Sequence, residues 1–363
     1  MNKGQKLWQR ATKIIPGGNG LLSKRPDRYL PNFWPTYFSK SKGINVWDLE
    51  NKKYQDMAQM GMGTCILGYA NNFIDKKVKK IINKGISSTL NCPEEFDLAK
   101  KILKYDKFAD QVKFAKGGGE AMAIAIRIAR AKSKKDVVAF SGYHGWHDWY
   151  LATNLKNNNN LKNHLLPGLE PLGVPKKLAN TVIPFTYNNV SEFRKLKKKN
   201  LAAIVIEGSR YSYPSKKFIT EIKNTCKKNN IFLIIDEITS GWRSSIGGIY
   251  NRLNIEPDIV VYGKGLGNGY PISCIVGKKK YMNFADKSFL SSTAWTERVG
   301  FVAANATIDF FTKKKVHKHI NLIGKQIKKG WLTLAKKHDI KLKVSENNSL
   351  CSFFLSYKNN EEL

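Results

Sequence analysis

A chain of 363 residues, 42% of them hydrophobic, can bury a sizeable core and suits one large domain with a smaller one, or two of ordinary size. No apolar run approaches the roughly 18–20 residues of a membrane helix, and the opening MNKGQKLWQRATKIIPGG has no apolar signal region, so a cytoplasmic protein without a membrane span is expected. The net charge of +34 could be a footprint for nucleic acid or anionic lipid. Yet lysine runs from end to end beside many Asn and Ile, as in an AT-rich genome, with no RNA-binding aromatic motif or zinc-finger spacing. The charge therefore reads as compositional bias, with no specific nucleic-acid partner. Cys65, Cys92, Cys226, Cys274 and Cys351 are scattered without a CxxC, which points to a reduced protein without a zinc site.

In chain order, Lys6–Ile15 is an amphipathic helix candidate stopped by Pro16-Gly17-Gly18. Val46-Trp47 and Tyr54 then lie in short extended runs around Glu50-Asn51, a hairpin pattern. Helices are predicted over 74–84 and 94–104, the second opening on Pro93-Glu94-Glu95. A regular alternation begins at Val112. Strands at 112–115, 136–141, 181–185, 202–207, 231–236, 258–262 and 272–276 are interleaved with helices at 120–132, 191–199 and 216–228. Such alternation reads as an α/β fold with a parallel, doubly wound sheet of seven strands, covered on both faces. The insert 154–180 is loop-rich. Helices at 298–312 and 316–338 and a late strand at 349–356 close the chain, with a domain boundary near 300.

Two of the strands end in charged residues, Asp236 after IFLII and Lys264 after the run IVVYG. Open parallel sheets bind ligands at the carboxyl ends of their strands, so this carboxylate and this amine are candidates for one site. Pyridoxal phosphate needs such a pair: an amine for a Schiff base and a carboxylate that keeps the pyridine nitrogen protonated. Two capping charges are the plain alternative. Lys264 stands apart from the other lysines because Gly265, Gly267 and Gly269 follow it, and desolvation there would lower its pKa. Gly117-Gly118-Gly119, between a strand and a helix, could admit an anion to backbone N–H groups, or be a structural turn. In Gly142-Tyr143-His144-Gly145-Trp146-His147, an aromatic side chain could stack on a flat ring. A metal site using His144 and His147 would lack a visible third ligand.

Together these pieces resemble the class III pyridoxal-phosphate aminotransferases, in the group that includes glutamate-1-semialdehyde aminomutase. The resemblance covers nearly all of 10–312. It is carried by Ile15-Pro16-Gly17-Gly18, the 43–56 hairpin, Ile66-Leu67-Gly68-Tyr69, Val112–Arg130, Gly142–Gly145, Leu166–Pro175, Asp236–Arg243 and Pro257–Gly277. It implies a fold-type-I transferase with a small α+β domain built from both chain ends: 1–56 joins the small domain, 57–300 binds the cofactor, and 301–363 is a shortened small domain. It implies pyridoxal 5'-phosphate bound at Lys264, which carries it and shuttles protons, with Asp236 on the pyridine nitrogen. Tyr143 would stack on the ring with His144 beside it, Ile238 would pack the opposite face, and Glu207 would lie near the cofactor. Gly118 and Gly119 would cradle the phosphate, and Thr293 would reach the phosphate of the partner in a homodimer.

Three departures from the family pattern stand out. Gly117-Gly118-Gly119 replaces Ser-Gly-Thr, removing two hydroxyl donors. Asn19–Pro26 replaces the aminomutase pattern after Pro-Gly-Gly. The sequence ends at Glu361-Glu362-Leu363, inside what the small domain should span, so a shortened C-terminal domain is expected. The reaction expected is amino transfer from a donor amine to a carbonyl acceptor. The run WTER at Trp295–Arg298 and GNGYPI resemble members acting on sugars of surface polysaccharides. The semialdehyde aminomutase is the alternative within the family. A nucleic-acid-binding protein on an inactive scaffold is the alternative of another class.

Overall fold

The computed structural model describes residues 1–355 except 31, 163 and 165–169. Part of the 166–175 stretch and the chain end at 356–363 lie outside the described residues. Three short strands, β1 (Phe38–Lys42), β2 (Asn45–Asp48) and β3 (Lys53–Gln55), form an antiparallel sheet near the N-terminus. Val46 pairs with Tyr54 as the hairpin pattern requires. Asn51 takes the left-handed turn at φ 61°, and Asp48 Oδ1 accepts the N–H groups of Glu50 and Lys52. Strand β1 was not predicted: FSKSK is polar, largely exposed and carries no apolar alternation.

The main sheet holds β4 (Gln111–Ala115), β5 (Val137–Ser141), β6 (Val182–Pro184), β7 (Leu201–Glu207), β8 (Phe232–Asp236), β9 (Ile259–Tyr262) and β10 (Ser273–Gly277). Their order across the sheet is β4-β10-β9-β8-β7-β5-β6. All neighbours are parallel except β10, which runs antiparallel to both β4 and β9. The seven strands are those the alternation predicts, and the sheet is parallel as expected except at β10.

Every residue of β7, β8 and β9 is buried, because helices cover both faces. Alternate side chains serve opposite layers. Ile204, Ile206, Leu233, Ile235 and Val260 pack with Phe218 and Ile222 of helix Lys216–Asn229 and with Phe301 and Ile308 of helix Arg298–Lys313. Ala203, Val205, Ile234 and Val261 pack with Ala121, Ile124, Ala125 and Ile128 of helix Gly118–Ser133. Burying a side chain such as Ile235 is worth roughly 1.5–3 kcal/mol, so this double layer fixes the strand register. Packing of helix Arg298–Lys313 into the main core continues past the boundary set at 300.

At the C-terminal end, the late strand is shorter than predicted. Leu342–Val344 (β11) pairs antiparallel with Phe353–Leu355 (β12), and Asn348–Leu350 is a 3-10 turn. The Asn347 side chain accepts the N–H of Ser349 and bends the chain there. Among the described residues no helix is long and apolar enough to cross a membrane.

Candidate active site

The register of the central strands assembles the site. Glu207 and Asp236 are paired residues at the carboxyl ends of β7 and β8, and Lys264 follows β9 by two residues. Asp236 is 4% exposed and its oxygens are both engaged. Oδ2 lies 2.7 Å from His144 Nδ1, and Oδ1 accepts the Ile238 N–H at 2.9 Å. A carboxylate only accepts, so His144 carries its hydrogen on Nδ1. The buried ring is thereby fixed against Asp236, while its Nε2 meets no partner among the described residues.

Lys264 adopts the left-handed conformation at φ 42°, a strained backbone state characteristic of functional sites. Its Nζ donates to Thr239 Oγ1 at 3.1 Å. Burial lowers the amine's pKa to about 8, helped by the positive charges of Arg210 and Arg243 and opposed by Asp236 and Glu207. A neutral fraction near neutral pH suits an amine to nucleophilic attack and proton transfer.

The glycines at the start of helix Gly118–Ser133 leave room for close approach. A Cβ on Gly118 would stand 2.9 Å from Ile238 Cδ1, and one on Gly119 would stand 2.9 Å from the His147 ring. The first N–H groups of a helix have no intrahelical acceptor. Glu120 turns back to accept the N–H groups of Gly117 at 2.7 Å and Lys116 at 3.2 Å. The N–H groups of Gly118 and Gly119 meet no acceptor among the described residues and lie at the positive end of the helix dipole, which favours an anion. Tyr143 is half-buried beside this end, its N–H 3.4 Å from Glu207 Oε2. Burial raises its phenol pKa, and Arg210 partly offsets that. Thr293 opens a 3-10 turn and is exposed, and its hydroxyl meets no partner among the described residues.

Lys264, Asp236, His144, Glu207, Ile238, Gly118, Gly119 and Tyr143 therefore converge, and Thr293 faces outward. His144 binds Asp236, and His147 lies against Gly119. Sequence reasoning missed four contributors. Arg210 reaches Glu207 Oε1 through Nε at 3.0 Å and Nη2 at 2.8 Å. Burial raises the Glu207 pKa, and the guanidinium limits the rise. Arg243 donates to the carbonyls of Thr239, at 3.0 Å, and Gly63. Thr239 orients the lysine. His147 was weighed only as a metal ligand. The one visible signal was the placement of Arg210 three residues beyond a strand-end glutamate.

These residues fit pyridoxal phosphate: a buried amine, a buried carboxylate on the next strand, and a glycine cradle at a helix start. The aminotransferase class-III family model matches residues 30–362. A 3-aminobutyryl-CoA aminotransferase of Cloacimonas acidaminovorans (strain Evry) is 31% identical over 325 residues, covering 86% of this chain and 74% of that protein. A glutamate-1-semialdehyde 2,1-aminomutase of Ruminiclostridium cellulolyticum is 29% identical, covering 96% of this chain and 82% of that protein. The structure of the PLP internal aldimine form of the FumI protein of Sphingopyxis sp. MTA144 superposes with a TM-score of 0.87 at 23% identity, over 97% of this chain and 83% of that one.

Proposed function

This chain belongs to the class-III aminotransferases, enzymes that use pyridoxal phosphate, and from that premise we propose that Lys264 and Asp236 form the reacting centre of a transaminase. The observation that carries the assignment is the buried Lys264 amine, held at a pKa of about 8 by burial and two guanidinium groups, one strand from Asp236. When bound, the cofactor supplies an electron sink for the carbon that loses its proton. Lys264 Nζ would hold the cofactor and move the proton, with Thr239 Oγ1 orienting it. Asp236, fixed by His144, would serve the pyridine nitrogen. Gly118 and Gly119 would receive the phosphate on their N–H groups, and Tyr143, Ile238 and Glu207 would line the space for the ring.

The substrates are a small donor amine and a carbonyl acceptor, and we propose a keto sugar of surface polysaccharide synthesis as the acceptor. The runs at Trp295–Arg298 and Gly267–Ile272 support that choice. The segment Asn19–Pro26 favours transamination between two molecules over the aminomutase reaction within one. We further propose a homodimer in which Thr293 serves the partner's phosphate. Phe289 at 89% exposure, Leu90 at 81% and Trp146 at 70% are large apolar side chains that a second copy would cover. Cytoplasmic placement is supported by the five free cysteines.

The test loads the protein with cofactor and screens amino donors against keto acids, keto sugars and glutamate semialdehyde. Transfer to a keto sugar supports the reading in full. Turnover of the semialdehyde alone would make the protein an aminomutase. Borohydride reduction of the holoenzyme should leave the cofactor on the peptide containing Lys264, and any other lysine would overturn the site.

A further inference from the structure

The cradle lacks side-chain hydroxyls. Gly117, Gly118 and Gly119 bring only backbone donors, and Glu120 occupies the N–H groups of Lys116 and Gly117. The volume beside Gly119 is filled by an imidazole: both Cε1 and Nδ1 of His147 lie 2.9 Å from where a Gly119 Cβ would be. The ring stacks on Trp146, with centroids 4.5 Å apart and planes 27° apart, which limits its rotation. Its Nδ1 is buried and has no hydrogen-bond partner among the described residues. An unsatisfied buried polar atom is costly, and native proteins rarely leave one without a ligand or water. Here it lies beside Gly119, whose N–H meets no acceptor among the described residues.

We propose that His147 is a phosphate-binding residue of this site, its Nδ1–H donating to the cofactor's phosphate from the space that a side chain at position 119 would otherwise occupy. The assignment rests on the transaminase reading above. Glycine at 119 and histidine at 147 are then two halves of one arrangement. A side chain at 119 would collide with the ring, and without the ring the cradle would lose a side-chain donor. Burial lowers the pKa of the imidazole, and the negative charges of Glu120 and Asp148 partly oppose that. A neutral or a charged ring can each donate from Nδ1, so the role survives either state.

The experiment measures dissociation constants of pyridoxal phosphate and of pyridoxal, which has no phosphate, for the cofactor-free protein. His147→Ala should weaken pyridoxal phosphate about tenfold, the effect of ~1.4 kcal/mol, and leave pyridoxal within about twofold of the parent. Gly119→Thr alone should also weaken the phosphate form, through collision with the ring. Combining Gly119→Thr with His147→Ala should recover most of the loss, because the new hydroxyl enters the vacated space. His147→Phe keeps the stacking on Trp146 without a donor and should behave like His147→Ala; it serves in its place if the alanine variant does not fold. Equal weakening of both ligands, no weakening of either, or no recovery in the double variant would overturn the assignment. A parent protein that captures no pyridoxal phosphate at all would overturn this inference and the transaminase reading together, whereas capture unaffected at position 147 would overturn this inference alone.

Discussion

Burial strips water from the Lys264 amine, and two guanidinium groups raise the cost of its charge, so it is half-neutral at about pH 8. An exposed lysine would reach that point only near 10.4. The rate at which cofactor-free protein captures pyridoxal phosphate should therefore rise with pH around a midpoint near 8. Arg243→Gln removes one of the positive charges and should move that midpoint upward, as read by the absorbance of the bound cofactor. A midpoint above 10 in the parent would contradict the environment described for Lys264. Asp236 makes a second residue-level prediction. Asp236→Ala removes the carboxylate proposed to serve the pyridine nitrogen and strands the N–H of His144, a residue 1% exposed, which would lose its only partner among the described residues. Turnover of the cofactor-saturated variant should fall nearly to nothing, and near-normal turnover would refute the role.

The elements around these residues carry a polar network inside the core. Glu237, next to Asp236, is fully buried; Oε1 accepts the Tyr250 N–H at 3.0 Å and Oε2 accepts the Ser240 hydroxyl. Burial pushes its pKa up to about 8, well above the 4.5 of an exposed glutamate. Asp106, at the end of helix Pro93–Tyr105, accepts the hydroxyls of Tyr250 and Tyr262 and is pushed up to about 6 by burial. Both groups hold a proton in the folded state that the unfolded chain has already released. Their contribution to stability is complete below about pH 4 and is lost as pH rises through the folded values. Glu237→Gln cannot ionise, and its amide can donate to Ser240 while its oxygen still accepts from Tyr250. Denaturant unfolding of cofactor-free protein should show the parent losing stability between about pH 6 and 8, and the variant staying flat there. A parallel decline in both proteins would place the titrating group elsewhere.

The same elements show what was readable in advance. Strands β7, β8 and β9 lie within a residue or two of prediction because each is a short, β-branched, fully buried run bounded by polar residues. Lys264 and Asp236 could be singled out in the sequence because each ends a buried apolar run, although two capping charges would give the same pattern. Arg210 and Arg243 were not, since an arginine's burial and its partners belong to the assembled fold. Strand β1 escaped because its residues face water, and the turn at 348–350 because a single asparagine side chain decides it. His147 carried no signal beyond its type; its place against Gly119 comes from two loops that meet only in space.

At the scale of the whole molecule, the open question is whether each site is complete within one chain. Thr293 is exposed, yet its neighbours are tied to the cradle of their own chain. Trp295 Nε1 donates to Glu120 Oε1 at 3.4 Å, and Lys116 pairs with Glu297 at 2.8 Å. The hydroxyl could thus serve a phosphate across an interface or in its own chain, and the proposal commits to the interface. Removing it in Thr293→Ala deletes one hydrogen bond to a charged group, about 1–3 kcal/mol, so cofactor affinity should fall roughly 5- to 150-fold. Location is decided by mixing two variants. Lys264→Ala lacks the reacting amine, and Thr293→Arg blocks the donor with a bulky side chain. Each homodimer has both of its sites damaged and should be inactive. In a mixed dimer with Thr293 acting across the interface, one site collects both lesions and the other has an intact lysine from one chain and an intact threonine from its partner. Activity should then return in part, in proportion to the mixed dimers formed. If Thr293 acts in its own chain, each site of the mixed dimer keeps one lesion, and activity stays absent despite demonstrated subunit exchange.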